Sequence, residues 1–249
     1  MILPLLFLCW GSFLNVIAYR LVIAQNFLIS RSRCPKCHHH LAWYDLVPVF
    51  SWIWLARTCR YCKKPIAVIY PLIEIMTAVF LTAVYYHMPL RYFPAYFLFI
   101  SALMVTVHSD IQTMLISRFA TIFLIPVGIG ASMFNLLPIS PLDSIGGTLI
   151  GGGFLWLVAT IFSYVRGKEG IGQGDIDLLA FIGSFMGIIG CWLTLCISAV
   201  SGAFVGSIYT LFHASSEESA RIPFGPFLAL SAIMVIFFHD DLIYYFFHL

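Results

Sequence analysis

Six side chains stand out for what their types and spacing could do: Asp110, Asp175, Cys34, Cys37, Cys59 and Cys62. Asp175 closes the glycine-rich stretch Gly170-Ile171-Gly172-Gln173-Gly174-Asp175, directly ahead of an apolar run that begins at Leu178. A carboxylate at a membrane boundary is costly and is a functional candidate by default. Its plainer role is a helix cap, accepting the free N–H groups of a first turn. Asp110, in His108-Ser109-Asp110-Ile111, ends a second apolar run; alone, it reads equally as a solvated acid at a loop edge. Together the two acids can perform aspartyl-protease chemistry. Like charges held close share one proton, so one member can take a proton from water while the other donates toward a scissile carbonyl. Gly172 and Gly174 serve the same chemistry, because residues without a Cβ let an extended peptide lie beside the acid.

The cysteines form two C-x-x-C pairs, Cys34/Cys37 and Cys59/Cys62. Such pairs resemble a four-thiolate structural zinc site, with a spacer slightly longer than usual. Four thiolates close the tetrahedron, so the metal is structural and has no open position for catalysis. The neighbouring His38, His39 and His40 then read as exposed loop residues. Disulfides are the rival reading, and a reducing compartment disfavours them. Cys9, Cys191 and Cys196 fall in apolar runs and read as small packing residues.

The elements that must position these groups are membrane spans. The 249 residues are 61% hydrophobic and 10% charged, with mean hydropathy +0.96, whereas a soluble domain carries about 25% charged residues. This composition reads as an all-α polytopic membrane protein, and the net charge of +2 gives no footprint for nucleic acid. The first apolar run lacks a basic flank and a small-residue cleavage site, and reads as a retained span. About eight spans are expected, near 2–19, 68–87, 93–109, 118–137, 144–165, 176–190, 192–212 and 224–240. Gly187 to Gly190 is expected to turn the short sixth span directly into the seventh.

If the loop 20–67 faces the cytoplasm, this arrangement leaves only Arg91 of the 13 Lys and Arg residues on the opposite side. That asymmetry satisfies the positive-inside rule and places both termini outside. Asp110 and Asp175 then lie at one depth, the cytoplasmic edge. Three parts are expected: a first span at 1–19, a cytoplasmic zinc-binding loop at 20–67, and a helical membrane domain at 68–249 carrying the acids.

Five blocks, in order over nearly the whole chain, resemble the bacterial prepilin peptidases, or type IV leader peptidases. They are Gly11-Ser12-Phe13-Leu14-Asn15 through Arg20-Leu21; Cys34 through Leu46-Val47-Pro48 to Cys62; Lys64-Pro65-Ile66 with Tyr70-Pro71-Leu72-Ile73-Glu74; Gly172-Gln173-Gly174-Asp175; and Ile222-Pro223-Phe224-Gly225-Pro226. The resemblance implies an inner-membrane enzyme that removes the basic leader from prepilins or type II secretion pseudopilins at the cytoplasmic face. It also implies N-methylation of the new amino terminus with S-adenosylmethionine. By motif the cleaving acids are Asp110 and Asp175. Asn15, Arg20 and Glu74, in family-like blocks, could hold the amine or the methyl donor; the alternative is an interhelical hydrogen bond for Asn15 and a Glu74–Arg20 pair.

Two positions depart from the family pattern. Ser117 stands where Pro is common after the first acid, and Asp177 stands where Lys is usual after the second. A proton-coupled transporter could also use two acids, but would place them nearer mid-span. A non-catalytic assembly factor would leave both acids dispensable.

Overall fold

The computed structural model describes residues 2–22, 32–167, 170–212 and 223–247. Arg31, Lys168, Arg221 and Ile222 lie outside the described residues. Among those described, the only extended pairings are two isolated antiparallel bridges, Arg33–His40 and Thr58–Pro65, and the regular structure is helical. The chain divides into two compact units, 1–112 and 113–249.

The first unit holds α1 (Ile2–Val22), the short α2 (Phe50–Trp54), α3 (Ile69–His87) and most of α4 (Phe93–Thr113). Close contact of α1 with α3 rests on Gly11: a Cβ there would lie 2.8 Å from Glu74 Cα and 3.2 Å from its carbonyl oxygen. Backbone cannot yield as a side-chain tip can, so the crossing requires glycine. Trp10 of α1 donates its indole N–H to Ser101 Oγ of α4 at 2.9 Å. The core of this unit, Ile73, Leu81, Val84, Phe99, Ile100, Leu103 and Met104, is almost fully buried.

The segment between α1 and α3 folds around its two cysteine pairs, which make the same backbone turn twice. Cys34 N–H donates to His39 O at 3.0 Å and His38 N–H to Cys34 O at 2.9 Å; Cys59 N–H donates to Lys64 O at 2.9 Å and Lys63 N–H to Cys59 O at 2.9 Å. His38 and Lys63 hold equivalent left-handed positions, with φ of 57° and 58°. Two knuckles of one shape thus present their sulfurs to a common point.

The second unit holds α5 (Ile125–Met133), α6 (Pro141–Arg166), α7 (Gln173–Phe212) and α8 (Gly225–Phe247). Ser140 caps α6 by accepting from Asp143 N–H at 3.1 Å, Pro141 occupies the first turn, and Gly167 ends the helix at φ 64°. α6 and α7 meet through glycines. A Cβ on Gly183 would lie 2.1 Å from Gly147 O, and one on Gly147 would lie 2.4 Å from Gly183 O. Gly187 breaks α7 with φ 70° and ψ −170°, within the stretch where the sequence places a turn between two spans. Asp143 of α6 accepts the Ile188 N–H at 3.1 Å, satisfying a donor at the restart of the helix.

Five described helices are long and apolar enough to cross a membrane: Ile2–Leu21, Ile69–His87, Leu90–Thr113, Pro141–Arg166 and Gln173–Phe212. Two shorter apolar helices, Ile122–Met133 and Gly225–His239, fall where the fourth and eighth spans are expected. The fourth differs from the expected 118–137. Thr121 leaves helical geometry at φ −120° and ψ −77°, a 3₁₀ turn covers Ile122–Leu124, and Pro126 opens α5. Asn135, at φ 55°, lies beyond its end. Twelve residues rise only about 18 Å, so this segment is shorter than a hydrocarbon core.

Candidate functional site

Each unit contributes a cluster of chemical groups. In the first, Glu74 is drawn from the second turn of α3 into a buried polar network. Its Oε2 accepts the Val49 N–H at 2.8 Å, and its carboxylate is also hydrogen-bonded to the side chains of Ser12 and Asn15. Val49 is set for this contact by a γ-turn: φ is 61°, ψ is −50°, and Phe50 N–H donates to Pro48 O at 2.6 Å. A β-branched residue at positive φ is strained, a condition found where surrounding contacts over-determine the backbone.

Asn15 is the hub of the network. Its Nδ2 donates to Tyr70 O at 3.0 Å, and its Oδ1 faces His108 Nδ1 at 2.6 Å. Since Oδ1 can only accept, His108 Nδ1 carries the proton in this arrangement. His108 Nε2 is buried with no hydrogen-bond partner. The interhelical bond considered for Asn15 is therefore present, joining α1 to α3 and α4. His108 carried a signal that sequence reading left unused, an ionisable ring inside an apolar run; its partner 93 residues away in sequence did not.

Asn15, Arg20, Tyr70 and Glu74 line one side of a cavity of about 810 Å³, and Cys34, Trp52 and Leu55 from the intervening segment line another. All of its lining lies within the first unit. Its size falls in the range of small-molecule sites, about 300–1,000 Å³.

Beside this cavity, the ligand atoms of Cys34, Cys37, Cys59 and Cys62 all lie within 4.8 Å of one another. Cys34 Sγ and Cys62 Sγ are 4.0 Å apart. Tetrahedral zinc with bonds of about 2.3 Å requires sulfur separations of about 3.8 Å, so the four thiols fit one such ion with little movement. All four are free thiols. Burial pushes the Cys34 thiol up, but hydrogen bonds from the Cys37 and Lys36 backbone and the Cys37 and Cys59 side chains outweigh it, lowering the pKa to about 7. The backbone at His39 pulls Cys37 down, while burial and the Cys34 and Cys62 sulfurs raise it to about 11. A bound cation would favour the thiolate throughout, with release of protons.

In the second unit, Asp175 lies in the first turn of α7, where its charge suits the positive end of the helix. The helix begins at Gln173, so Asp175 sits within the turn, with its own N–H donating to Gly172 O at 3.1 Å. Gly174 is pressed against Ile116: a Cβ on Gly174 would lie 2.8 Å from Ile116 Cβ. Asp177, unusual beside the family pattern, is buried and held on both oxygens. Oδ2 faces Arg118 Nε at 3.2 Å, and Oδ1 accepts from Gln173 Nε2 at 3.2 Å. Arg118 thus balances the charge of Asp177. Asp110, placed near the C-terminal end of α4, is buried in the first unit.

Family models match two consecutive stretches of the chain: a bacterial Peptidase A24 N-terminal domain over residues 5–88 and the type IV leader peptidase family over residues 97–207. Among curated relatives, the prepilin leader peptidase/N-methyltransferase of Aeromonas hydrophila is 31% identical, over 93% of this chain and 88% of its own length. The protein of that name from Burkholderia pseudomallei (strain 1026b) is 33% identical, over 92% of this chain and 82% of its own length. One from Xanthomonas campestris pv. campestris is 31% identical, over 94% and 89%. No solved structure matches. With both models falling in order and the relatives covered nearly end to end, the chain belongs to the type IV leader peptidase family.

Proposed function

We propose that this chain cleaves the leader from prepilins or type II secretion pseudopilins with Asp110 and Asp175, and methylates the amino terminus that cleavage exposes. Leader cleavage and N-methylation follow from the family and its bifunctional relatives. The observation that carries the residue assignment is the turn Gly172–Asp175 at the head of the apolar helix α7. Ile116 and Arg118, soon after Asp110 in sequence, are both seated on the residues around that turn.

In this reading the two acids share one proton. The ionised member takes a proton from water as its oxygen attacks the scissile carbonyl, and the protonated member donates to the carbonyl oxygen. Gly172 and Gly174 keep the approach clear for an extended backbone. The substrate's apolar helix lies among the spans, with its basic leader on the cytoplasmic side, where the excess of Lys and Arg also places the loop 20–67. The protein is then an inner-membrane enzyme with both termini periplasmic.

The methyl-transfer site is assigned to the cavity of the first unit. S-adenosylmethionine, when bound, supplies an electrophilic methyl group. The residues present fit such a guest: the cavity has the volume, and the Glu74 carboxylate on its wall suits a cationic sulfonium or amine. Glu74 and Arg20 would contact the ligands. Asn15, with its amide already engaged, is a positioning residue for Glu74. Zinc at the four cysteines would fix the wall that carries Cys34 and Trp52.

The test is cleavage of a prepilin in liposomes by the wild type, Asp110→Asn and Asp175→Asn, following loss of the leader by mass and the methyl increment when the donor is added. Each Asn variant is expected to lose cleavage by at least ~100-fold while still methylating pre-cut pilin. Cleavage by both variants at the wild-type rate would remove the acids from the mechanism.

A further inference from the structure

The segment 43–54 carries a patch of large apolar side chains whose exposure the cavity and the cysteines do not explain. Trp54 is 85% exposed, Trp43 79%, Phe50 65% and Ile53 62%. Phe50, Ile53 and Trp54 lie three and four positions apart, so they share one face of α2. The opposite face, with Ser51, Trp52 and Leu55, lines the cavity, and Trp52 Nε1 donates to Ile66 O at 3.2 Å. The short helix is therefore two-sided, with one side committed inward and an aromatic side turned out.

We propose that this outward face lies in the lipid bilayer's interfacial layer, anchoring the cysteine-bearing segment to the membrane surface. Three observations select lipid as the occupant. The first is depth. The Val49 N–H bond to Glu74 pins the start of α2 to the second turn of α3, roughly 7–8 Å along the axis from the start of that helix. Interfacial helices bury their apolar face about 5–10 Å into the headgroup and acyl boundary.

The second observation is composition: Trp and Tyr are the residues enriched at that boundary, where an amphipathic ring is at home. The third is charge. Across residues 32–68 there are six Lys and Arg side chains and one Asp, and that Asp45 is already paired with Arg60 at 2.7 Å. Arg60 stacks over Tyr44 at 5.0 Å, and Tyr44 packs against Trp43. The segment that carries the aromatic patch thus holds a net excess of cations, as anionic phospholipid headgroups would require. The inference rests on α1 and α3 spanning the bilayer, and is independent of which acids cleave.

The full chain, labelled with fluorotryptophan and placed in nanodiscs of phosphatidylethanolamine and phosphatidylglycerol, tests it by fluorine NMR. The conservative variants Trp43→Phe and Trp54→Phe assign two resonances by their disappearance. A phospholipid carrying a nitroxide near the headgroup is expected to broaden both several-fold more than a water-soluble gadolinium chelate does. Trp156, exposed on α6, reports the membrane reading itself. If lipid broadens Trp156 while the chelate alone broadens Trp43 and Trp54, the anchor is refuted and the spans stand. If lipid reaches none of the three, the spanning reading fails as well. Resonances of Trp43 and Trp54 that ignore lipid and move only when a prepilin peptide is added would make the patch a substrate surface and overturn the proposal.

Discussion

The two units bury polar and small residues to opposite ends. In the first, Asn15, Glu74 and His108 are brought together from three helices into a buried hydrogen-bonded network, with Asn15 and Glu74 on the wall of a cavity. In the second, glycines at 147, 183 and 187 remove side chains so that α6 and α7 can touch backbone to backbone, and Asp143 serves as a cap. One unit makes room for a guest, and the other eliminates room between its own helices. The first should therefore tolerate loss of a side chain at a cost in ligand handling. The second should fail when atoms are added.

Metal removal should separate the units most sharply. Structural zinc contributes about 10–16 kcal/mol in small thiolate domains, and here it would join the knuckles around Cys34 and Cys59. Chelation, or Cys34→Ser with Cys59→Ser, is expected to abolish amide-exchange protection over 32–67 while leaving 141–212 protected. Equal loss in both stretches would mean that the segment is not an independent metal-held element.

Adding atoms to the helix contact comes next. Gly183→Val places branched carbon where a single Cβ would already lie 2.1 Å from Gly147 O, and overpacking of this kind costs about 1–3 kcal/mol or more. Gly187→Ala combines a left-handed backbone at φ 70° with a Cβ 2.2 Å from Asp143 Oδ2. With ψ at −170° this backbone lies in a region essentially confined to glycine, which alone costs about 1–3 kcal/mol. Both variants should lower the unfolding midpoint in detergent, whereas Gly153→Ala, with open space around it, should not.

These contacts also mark how far the sequence could be read. Local devices were legible: the cysteine knuckles, the acid-bearing turn that opens α7, and a glycine turn between the sixth and seventh expected spans. Hydropathy located the fourth apolar segment but not its shortness, because Pro126 and the non-helical Thr121 break it without making it less apolar. Contacts between distant stretches were illegible. Nothing in the run around His108 announces Asn15, and Val49 reaches Glu74 only through a strained turn that no propensity would assign. The interhelical bonds of Asn15 were illegible for the same reason, because their partners Tyr70 and His108 lie far away in sequence.

Asn15→Ala should therefore act on the methyl donor indirectly. Losing the hub strands buried partners at a cost of about 1–3 kcal/mol. The expected signature is a raised KM for S-adenosylmethionine with cleavage of prepilin unchanged. A lowered cleavage rate with unaltered methylation kinetics would place Asn15 outside the methyl-transfer site.

The smallest effect belongs to the ion pair between Arg118 and Asp177. Asp177 is nearly buried, with 10% of its side chain exposed, but Arg118 is 67% exposed. Water screens the guanidinium, so the coupling between them should stay below about 1 kcal/mol, measured as a double-mutant cycle of Arg118→Gln and Asp177→Asn in detergent unfolding. The single variants should not match. Arg118→Gln leaves a buried carboxylate with only Gln173 as partner, whereas Asp177→Asn keeps a hydrogen-bonding side chain and removes the charge, so the arginine variant should be the more destabilised. Should the cycle instead give a coupling well above that bound, or should Asp177→Asn slow cleavage as strongly as it alters stability, the pair would be holding the Gly172–Asp175 turn in place rather than merely balancing a charge.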